Sequence, residues 1–367
     1  MSHIVIDARQ YTTSTGRYTY RLIEYLQNLD AQHDYTILLK PTDMDVAEFT
    51  NPRFKKVACP YKEFTFAEQL GLRRQLNRLK PDLVHFGMTQ QPVLYKGLHV
   101  TTMHDLTTLR FDNPAKNHLV FKTKQRVYKW VNHRVAQSSQ RIIAPSHFVQ
   151  KDIMNYCQVP VTKIVVTYES ADSIQDPAEP LSVLEGRPFI MYIGRPQPHK
   201  NLGRLIEAFG LLRNVYPDLQ LVLAGKKDEL YRQHEEQAVR QGIGGILFTD
   251  FVSEGQLRWL YEHCLAYVFP SLSEGFGLPG LEAMRHGAPV ISSNAACLPE
   301  IYGPAAHYFD PLNTRAIAEA ISQVLSNDQL RQELIDKGRQ QVGKYSWDRM
   351  ARQTLDVYKQ ALDEYGR

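Results

Sequence analysis

Residues 274–282 read Glu-Gly-Phe-Gly-Leu-Pro-Gly-Leu-Glu, a glycine-rich stretch with a carboxylate at each end. Pro279 suits the first turn of a helix, because the N–H group that proline lacks would have no helical partner there. The stretch therefore predicts a loop that turns into a helix. The N–H groups of Phe276, Gly277 and Leu278 would then be available to an anion such as a phosphate.

The two carboxylates flank this predicted anion site. We place Glu274 before the helix start and Glu282 in the first turn, so that hydroxyl groups on either side of a phosphate would each meet a carboxylate. A phosphate between two such carboxylates suits a nucleotide sugar. The alternative is an ordinary loop and a capped helix with acidic residues in its first turn, and the spacing alone does not separate the two interpretations.

Short apolar runs recur on both sides of this loop, with helix-period stretches between them. Such alternation predicts an α/β fold in which parallel sheets are covered by helices on both faces. The predicted strands cover residues 4–7, 35–39, 83–86, 100–104, 141–145 and 164–168, and then 189–194, 219–225, 246–249, 266–270 and 289–293.

A polar, proline-bearing stretch at 176–180 separates these two series of strands. We therefore predict two doubly wound, Rossmann-like domains, residues 1–175 and 176–345, which face each other across a cleft. A final helix, about residues 346–367, is expected to pack back on the first domain. In parallel sheets the loops after the strands carry the ligands. The loops concerned are residues 11–16, 194–200, 225–226 and 271–278, and the residue at 104.

The composition is that of an ordinary globular protein. The chain has 367 residues, of which 43% are hydrophobic and 22% charged, enough for about two domains. Its apolar runs are strand-sized and the N-terminus lacks a basic region before an apolar run, so we expect no signal peptide and no membrane span. The four scattered cysteines favour a reducing cytoplasm without disulfides or structural metal. They are Cys59, Cys157, Cys264 and Cys297.

Positive charge is concentrated in the first half of the chain. Residues 1–178 contain 23 Lys and Arg against 16 Asp and Glu, and the remainder contains 20 against 23. This asymmetry favours an acidic partner, either anionic lipid head groups or a phosphorylated acceptor, although an asymmetry of this size more often reflects a solvated surface. The densest basic stretch is 110–134, which we interpret first as a surface helix that buries Phe121, Tyr128 and Val131. Contact with a membrane surface is second, and no nucleic-acid module accompanies the stretch.

Two cations follow the strand predicted at 189–194. Arg195 and Lys200 suit a diphosphate, because both stabilise negative charge that builds up on a leaving phosphate. The alternative is a surface loop with a lysine at a helix start.

The first half supplies two candidates of its own. His104, at the end of a predicted strand, is placed to hydrogen-bond a sugar hydroxyl, whereas a structural role is the alternative and is favoured for His85. Gly16 permits close approach of a ligand to the backbone. Because Gly-x-Gly-x-x-Gly is absent from this loop, a nicotinamide enzyme is disfavoured.

Two further patterns are set aside. Asp43 and Asp45 have the spacing of a metal motif, but the surrounding sequence offers no further ligands, so we predict a solvated loop. Ser146 lacks the Gly-x-Ser-x-Gly pattern of a hydrolase nucleophile and is predicted to cap a helix.

Taken in order, the motifs of the second half resemble glycosyltransferase family 4, retaining enzymes of the GT-B architecture, with a likeness to bacterial mannosyltransferases. The first half matches more loosely, through residues 15–18, 81–85, 104–105 and 144–146. The motifs of the second half are Tyr192-Ile-Gly-Arg195, Lys200-Asn-Leu202, Leu223-Ala-Gly225, Phe251-Val-Ser253, Phe269-Pro-Ser271, Glu274-Gly-Phe-Gly-Leu-Pro279, Leu281-Glu-Ala-Met284, Gly287-Ala-Pro-Val-Ile291 and Leu298-Pro-Glu300.

The resemblance implies a role for each candidate residue. Glu274 would hold the donor sugar, Arg195 and Lys200 would hold the diphosphate, and His104 would touch the sugar from the other domain. The remaining positions would bind the donor: Gly16 near the diphosphate, Val252 beside the base, Phe276, Gly277 and Leu278 through their N–H groups, and Glu282 at the ribose hydroxyls.

The implied reaction is metal-independent transfer of a hexosyl group from a nucleoside diphosphate sugar, with retention at the anomeric carbon. GDP-mannose is the first expected donor and a UDP-hexose the second. The acceptor would be a saccharide or a lipid-linked glycan, met in the cytoplasm or at the inner face of the membrane. The alternatives are a sugar-nucleotide epimerase or a phosphorylase of the same architecture, and a non-catalytic sugar-nucleotide binder. No cofactor and no nucleic acid are expected.

Overall fold

The computed structural model describes residues 1–111 and 118–365 of the chain. These residues form two compact units. Unit 1 comprises Met1–Leu109, Thr123–Glu169 and Ser346–Arg367. Unit 2 comprises Arg110–Lys122 and Ser170–Tyr345.

Unit 1 contains a parallel sheet of seven strands in the order β3-β2-β1-β4-β5-β6-β7. All the strand pairs are parallel, as the alternation of strands and helices predicts. The strands are β1 His3–Asp7, β2 Asp34–Leu39, β3 Phe54–Ala58, β4 Leu83–Phe86, β5 His99–Thr102, β6 Arg141–Ala144 and β7 Ile164–Val166.

Unit 2 contains a parallel sheet of six strands in the order β10-β9-β8-β11-β12-β13. Two of these strands are buried along their whole length, and two more are buried except for one end residue each, as expected in the interior of a parallel sheet. The strands are β8 Phe189–Ile193, β9 Gln220–Ala224, β10 Ile246–Phe248, β11 Ala266–Phe269, β12 Val290–Ser293 and β13 Ala306–Phe309.

Helices connect the strands of both sheets. The first four and the last belong wholly or mainly to unit 1, and the others belong to unit 2. They are α1 Arg17–Leu29, α2 Arg73–Leu79, α3 His118–Ser138, α4 His147–Cys157, α5 Leu202–Leu212, α6 Glu229–Arg240, α7 Glu254–His263, α8 Leu278–Arg285, α9 Leu298–Tyr302, α10 Thr314–Leu325, α11 Asp328–Val342 and α12 Trp347–Tyr365.

The eleven predicted strands are confirmed, and the structure adds β3 and β13. Each of these two is an edge strand, with a neighbour on one side only. Lys55 and Lys56 of β3 are exposed, as edge positions allow, and they interrupt the apolar run by which a strand is recognised. The two strands that were not predicted are therefore edge strands, whose residues can be polar because they are less buried than those of central strands.

The final helix completes the core of unit 1. In α12 Met350, Ala351, Tyr358 and Ala361 are buried in one cluster with the apolar residues of β1 and β2. The Tyr358 hydroxyl lies 2.5 Å from Nδ1 of His85, a residue that is fully buried in β4. His85 is thus a structural histidine that links the central sheet to the C-terminal helix.

Residues 118–134 of the basic stretch belong to α3, a helix of 21 residues that contains no Asp or Glu, whereas residues 112–117 lie outside the described part of the chain. Tyr128 and Val131 are half-buried, as the spacing predicts, but Val127 and Trp130 are exposed among the basic side chains. The Phe121 side chain lies outside the part of the protein that the structure describes. Among the described residues, no helix is long and apolar enough to cross a bilayer.

Candidate functional site

The candidate site of unit 2 lies beside two neighbouring strands from which the chain continues toward opposite edges of the sheet. Strands β8 and β11 are neighbours, and the chain leaves β8 toward β9 but leaves β11 toward β12. Loops that follow two such strands diverge and leave a crevice at the carboxyl edge of the sheet. The loop after β8 carries Arg195 and Lys200, and the loop after β11 carries Glu274.

Hydrogen bonds tie these two loops together. The Leu272 N–H donates to the His199 carbonyl at 2.7 Å. The buried Asn201 side chain donates to the carbonyls of Pro270, at 3.1 Å, and Pro311, at 2.8 Å. Asn201 adopts the left-handed conformation, which asparagine tolerates better than most residues. The position of one loop therefore fixes the position of the other.

Lys200 and Glu274 meet across this junction. Lys200 Nζ lies 2.5 Å from Glu274 Oε1, and the two side chains are only 18% and 13% exposed. The ammonium group also lies 5.6 Å from the centre of the Phe269 ring. Because water is largely excluded, this pair is stronger than a surface ion pair and holds both groups in place. By contrast, Arg195 is exposed, and none of the described residues bonds to its guanidinium group.

The 274–278 loop then leads into α8, which begins at Leu278. Gly277 has φ +97°, a conformation that favours glycine, and Pro279 is the second helical residue, as predicted for the first turn. Glu282 is consequently the fifth helical residue and lies in the second turn. The prediction that Glu282 belongs to the first turn was wrong, because the helix already begins at Leu278, directly after the left-handed Gly277.

The 274–278 loop turns its carbonyl groups toward the body of unit 2. The Glu274 carbonyl accepts a hydrogen bond from Cys297 Sγ at 3.3 Å, and the Gly277 carbonyl accepts one from the Tyr302 hydroxyl at 2.6 Å. Within the described part of the chain, the N–H groups of Gly277 and Leu278 have no hydrogen-bond acceptor. Free N–H groups at a helix start are the donors that an anion uses.

Glu282 and Val252 lie on neighbouring elements of unit 2. The Tyr261 hydroxyl of α7 lies 3.5 Å from Glu282 Oε2, and the Tyr261 ring stacks on His286. Val252 lies in the loop before α7, which a capping box formed by Ser253 holds in shape. Phe251, beside it, is 84% exposed.

In unit 1 both ring nitrogens of His104 are engaged. Nδ1 lies 3.1 Å from Glu169 Oε1 and Nε2 lies 3.0 Å from the Gly87 carbonyl. Burial lowers the pKa of His104, but the bonds to Glu169 and Gly87 outweigh it and the pKa is raised. Two acceptors require two N–H groups, so the geometry favours the charged imidazolium. Binding of a sugar hydroxyl by His104 would require one of these acceptors to be exchanged.

Gly16 closes the turn before α1. A β-carbon at this position would lie 1.7 Å from the Gln10 carbonyl oxygen, so no other residue fits this backbone. Thr13 caps the turn by accepting a hydrogen bond from the Gly16 N–H. The local packing therefore requires a glycine whether or not a ligand approaches it, and the role of Gly16 toward a diphosphate stays a prediction.

Comparison with known proteins decides the family. Residues 15–173 match the model described as "Glycosyltransferase Family 4", and residues 175–341 match "Glycosyl transferases group 1". The chain is 34% identical, over 71% of its own length and 70% of the relative's, to O-antigen chain mannosyltransferase B of Escherichia coli. The chain belongs to glycosyltransferase family 4.

Two further comparisons cover a smaller part of the relative or show a shared fold alone. The family 4 chain is 31% identical to serotype-specific mannosyltransferase WbdA of E. coli over 62% of its own length, and this match spans 28% of WbdA. Its fold matches Anabaena HepE, solved in complex with UDP and glucose, with a TM-score of 0.71. That match covers 98% of this chain and all of HepE at 16% identity, and therefore shows a shared fold alone.

The structure distributes the predicted residues of this family 4 glycosyltransferase over both units. Lys200 and Glu274 are in contact in unit 2, where the 274–278 loop, Glu282, Val252 and Arg195 also lie, whereas His104 and Gly16 belong to unit 1. The residues that hold these groups in place were not predicted from the sequence. They are Asn201, Cys297 and Tyr302 in unit 2 and Glu169 in unit 1.

The remaining polar candidates have structural roles. Asp43 is buried and accepts hydrogen bonds from Thr12 and Thr42, so the prediction of a solvated loop was wrong for this residue. Ser146 caps α4, as predicted. The four cysteines are buried free thiols. Among the described residues, no three His, Cys, Asp or Glu side chains are grouped as metal ligands.

Proposed function

We propose that the protein transfers a mannosyl group from GDP-mannose to an acceptor hydroxyl, with retention at the anomeric carbon. The observation that carries this proposal is the Lys200–Glu274 pair, 2.5 Å apart, next to the free N–H groups at the start of α8. A cation and a helix start suit a diphosphate, and the carboxylate beside them suits sugar hydroxyls.

In this reaction these residues would stabilise the negative charge of the leaving group. As the bond between the anomeric carbon and the phosphate oxygen breaks, negative charge builds up on the leaving diphosphate. Arg195, Lys200 and the N–H groups of Gly277 and Leu278 would stabilise that charge, so that the site needs no metal ion. The acceptor oxygen would bond to the same face of the anomeric carbon, and its proton would pass to the leaving phosphate oxygen.

The choice of donor rests on the relatives. O-antigen chain mannosyltransferase B and WbdA are named mannosyltransferases, which favours GDP-mannose. A UDP-hexose is the second candidate, because HepE shares the fold and was solved with UDP and glucose. The acceptor would be a saccharide or a lipid-linked glycan.

The first experiment incubates the purified protein with GDP-mannose, UDP-glucose or UDP-N-acetylglucosamine in the presence of a chelator. We expect release of GDP from GDP-mannose and thermal stabilisation by GDP, because ligands that bind the folded state stabilise it. Release from a UDP-sugar alone would replace the donor assignment. Stabilisation without release, even with oligosaccharide acceptors present, would favour a non-catalytic binder.

We further propose that the exposed face of α3 contacts an anionic membrane surface. Four cations of α3, Lys124, Arg126, Lys129 and Arg134, are exposed and have no acidic partner among the described residues. Trp130, between them, is 57% exposed. A helix that presents cations and an aromatic ring to solvent suits anionic head groups, where each cation near the surface contributes about 1 kcal/mol.

Lys129→Glu tests this contact. We expect the wild type to co-sediment with vesicles that contain phosphatidylglycerol, less so at high salt, and the variant to bind roughly tenfold more weakly. Lys359→Glu makes the same charge change at an exposed position of α12 and should leave binding unchanged. Equal loss in both variants would mean that only net charge matters, and the face of α3 would then have no special role.

A further inference from the structure

We propose that Tyr302 is a positioning residue that sets the orientation of the peptide group between Gly277 and Leu278. This inference rests on the proposed function, because the donor diphosphate is the ligand that this peptide group would meet. Tyr302 is the last residue of α9, lies 25 positions after Gly277 in the chain, and is fully buried.

Two hydrogen bonds hold the Gly277 carbonyl. The Tyr302 hydroxyl donates to it at 2.6 Å, and the Gly280 N–H at the start of α8 donates to it at 3.2 Å. In a trans peptide group the C=O and the following N–H point in opposite directions. With the Gly277 carbonyl held toward Tyr302, the Leu278 N–H must point away from α9. Burial raises the pKa of Tyr302 well above its usual value, so the hydroxyl keeps its proton and remains a donor.

The Tyr302 ring also limits how closely the residues around the start of α8 can pack against α9. A β-carbon added to Gly280 would lie 2.3 Å from the Tyr302 hydroxyl oxygen, and one added to Gly277 would lie 2.6 Å from it. Atoms that close would overlap, so the ring occupies the space that side chains at these two positions would need. The two glycines and the tyrosine therefore form one packed unit beneath the start of α8.

Hydrogen bonds to the neighbouring residue Ile301 hold Tyr302 in place. The carbonyl of its neighbour Ile301 accepts hydrogen bonds from Gln341 Nε2 at 2.6 Å and from the Tyr345 hydroxyl at 2.8 Å. The Tyr345 ring meets the Phe276 ring edge to face at 5.5 Å. The 274–278 loop is thus held by α9 and by Tyr345, which follows α11.

Tyr302→Phe tests the role of the hydroxyl with little change in packing. We expect kcat to fall roughly tenfold, because a misaligned N–H donor loses transition-state stabilisation, and the affinity for GDP to fall several-fold. Tyr308→Phe is the matched control, since the Tyr308 hydroxyl donates to the Gly303 carbonyl at 2.7 Å, outside the 274–278 loop. Its kcat and GDP affinity should equal those of the wild type.

The thermal stability of both variants separates positioning from packing. If Tyr302 were merely structural, Tyr302→Phe and Tyr308→Phe would lower Tm alike and both would keep full kcat, which would overturn the proposal. Gly280→Ala, which displaces the ring but retains the hydroxyl, should also lower kcat. A folded Gly280→Ala protein with full kcat would contradict the packing argument.

Failure of the proposed function would give a different result. If the wild type turns over none of the donors, binding of GDP and UDP is measured by calorimetry on the wild type, Tyr302→Phe and Tyr308→Phe. Weaker binding by Tyr302→Phe alone would support the orienting role of Tyr302. Equal dissociation constants for all three proteins would overturn it.

Discussion

Replacing Glu274 by Ala is expected to reduce kcat by about a hundredfold to a thousandfold, the loss typical of removing one preorganised electrostatic partner. Two effects act together. The donor sugar would lose its carboxylate, and Lys200 would lose the partner that holds its ammonium group 2.5 Å away on the neighbouring loop. Initial rates of GDP release from GDP-mannose, with acceptor present, measure the change.

The same substitution should also cost stability. Lys200 is mostly buried, so loss of its partner leaves an unpaired donor and is expected to lower the free energy of unfolding by about 1 to 3 kcal/mol. The rates are therefore compared at a temperature at which both proteins are folded. A Glu274→Ala protein that is folded and turns over at a near-normal rate would refute the role assigned to the pair.

Glu262→Ala provides a matched control in the same unit. Glu262 pairs with Arg258 at 2.7 Å on α7, and both side chains are about one-third exposed. Surface pairs of this kind contribute at most about 1 kcal/mol. We expect Glu262→Ala to keep the full kcat, so a loss specific to Glu274 would belong to the site and not to the deletion of an ion pair as such.

The parts of the site that are continuous in the chain could be predicted from the sequence. The strand-loop-helix segments around Lys200 and Glu274 are continuous in the chain, and parallel pairing then brings the loops after β8 and β11 to one edge. The start of α8 could be predicted only approximately, because the sequence does not show that Gly277 is left-handed and that the helix begins directly after it.

The supports of the site could not be predicted in the same way. Tyr302 and Gly277 lie 25 positions apart and join the end of α9 to the 274–278 loop, and no spacing rule connects a tyrosine with a distant carbonyl. The partner of His104 lies 65 positions away in Glu169, for the same reason. Such contacts depend on how helices pack on the sheet, which apolar periodicity indicates only as a face and not as a register.

His104 illustrates the difference between a residue's position and its chemistry. The sequence predicts its place after a strand of unit 1, and β5 does end at Thr102, two residues before it. The partners change the chemistry, because a histidine that donates from both nitrogens has no free acceptor. A neutral histidine would accept from a sugar hydroxyl, whereas this one is arranged as a charged donor.

Lowering the pH from 7 to 5 is expected to destabilise unit 1 through His85. Burial, with a smaller effect of nearby His104, lowers the pKa of His85 from 6.5 to about 3. The unfolded chain therefore takes up a proton below pH 6.5 that the folded state takes up only near pH 3. Stability from this residue is intact above pH 6.5 and is lost between these two values, by about 2 kcal/mol at pH 5.

His85→Gln isolates this effect from the other histidines. The variant should be less stable than the wild type at pH 7, because Tyr358 and Thr102 lose their imidazole partner. The difference should shrink by about 2 kcal/mol at pH 5, since glutamine takes up no proton. Urea unfolding at both pH values measures the difference in the free energy of unfolding. His133→Gln is the control, because His133 is exposed.

The loss of stability between pH 7 and 5 should be largest in α12. His85 bonds to Tyr358 of α12, so protonation removes an acceptor from the helix that closes the core of unit 1. Amide hydrogen exchange in α12 should therefore accelerate between pH 7 and 5, after correction for the intrinsic rate, more than exchange in α10 of unit 2. A stability difference between wild type and His85→Gln that stays constant with pH would mean that His85 takes up a proton as readily in the folded protein as in the unfolded chain.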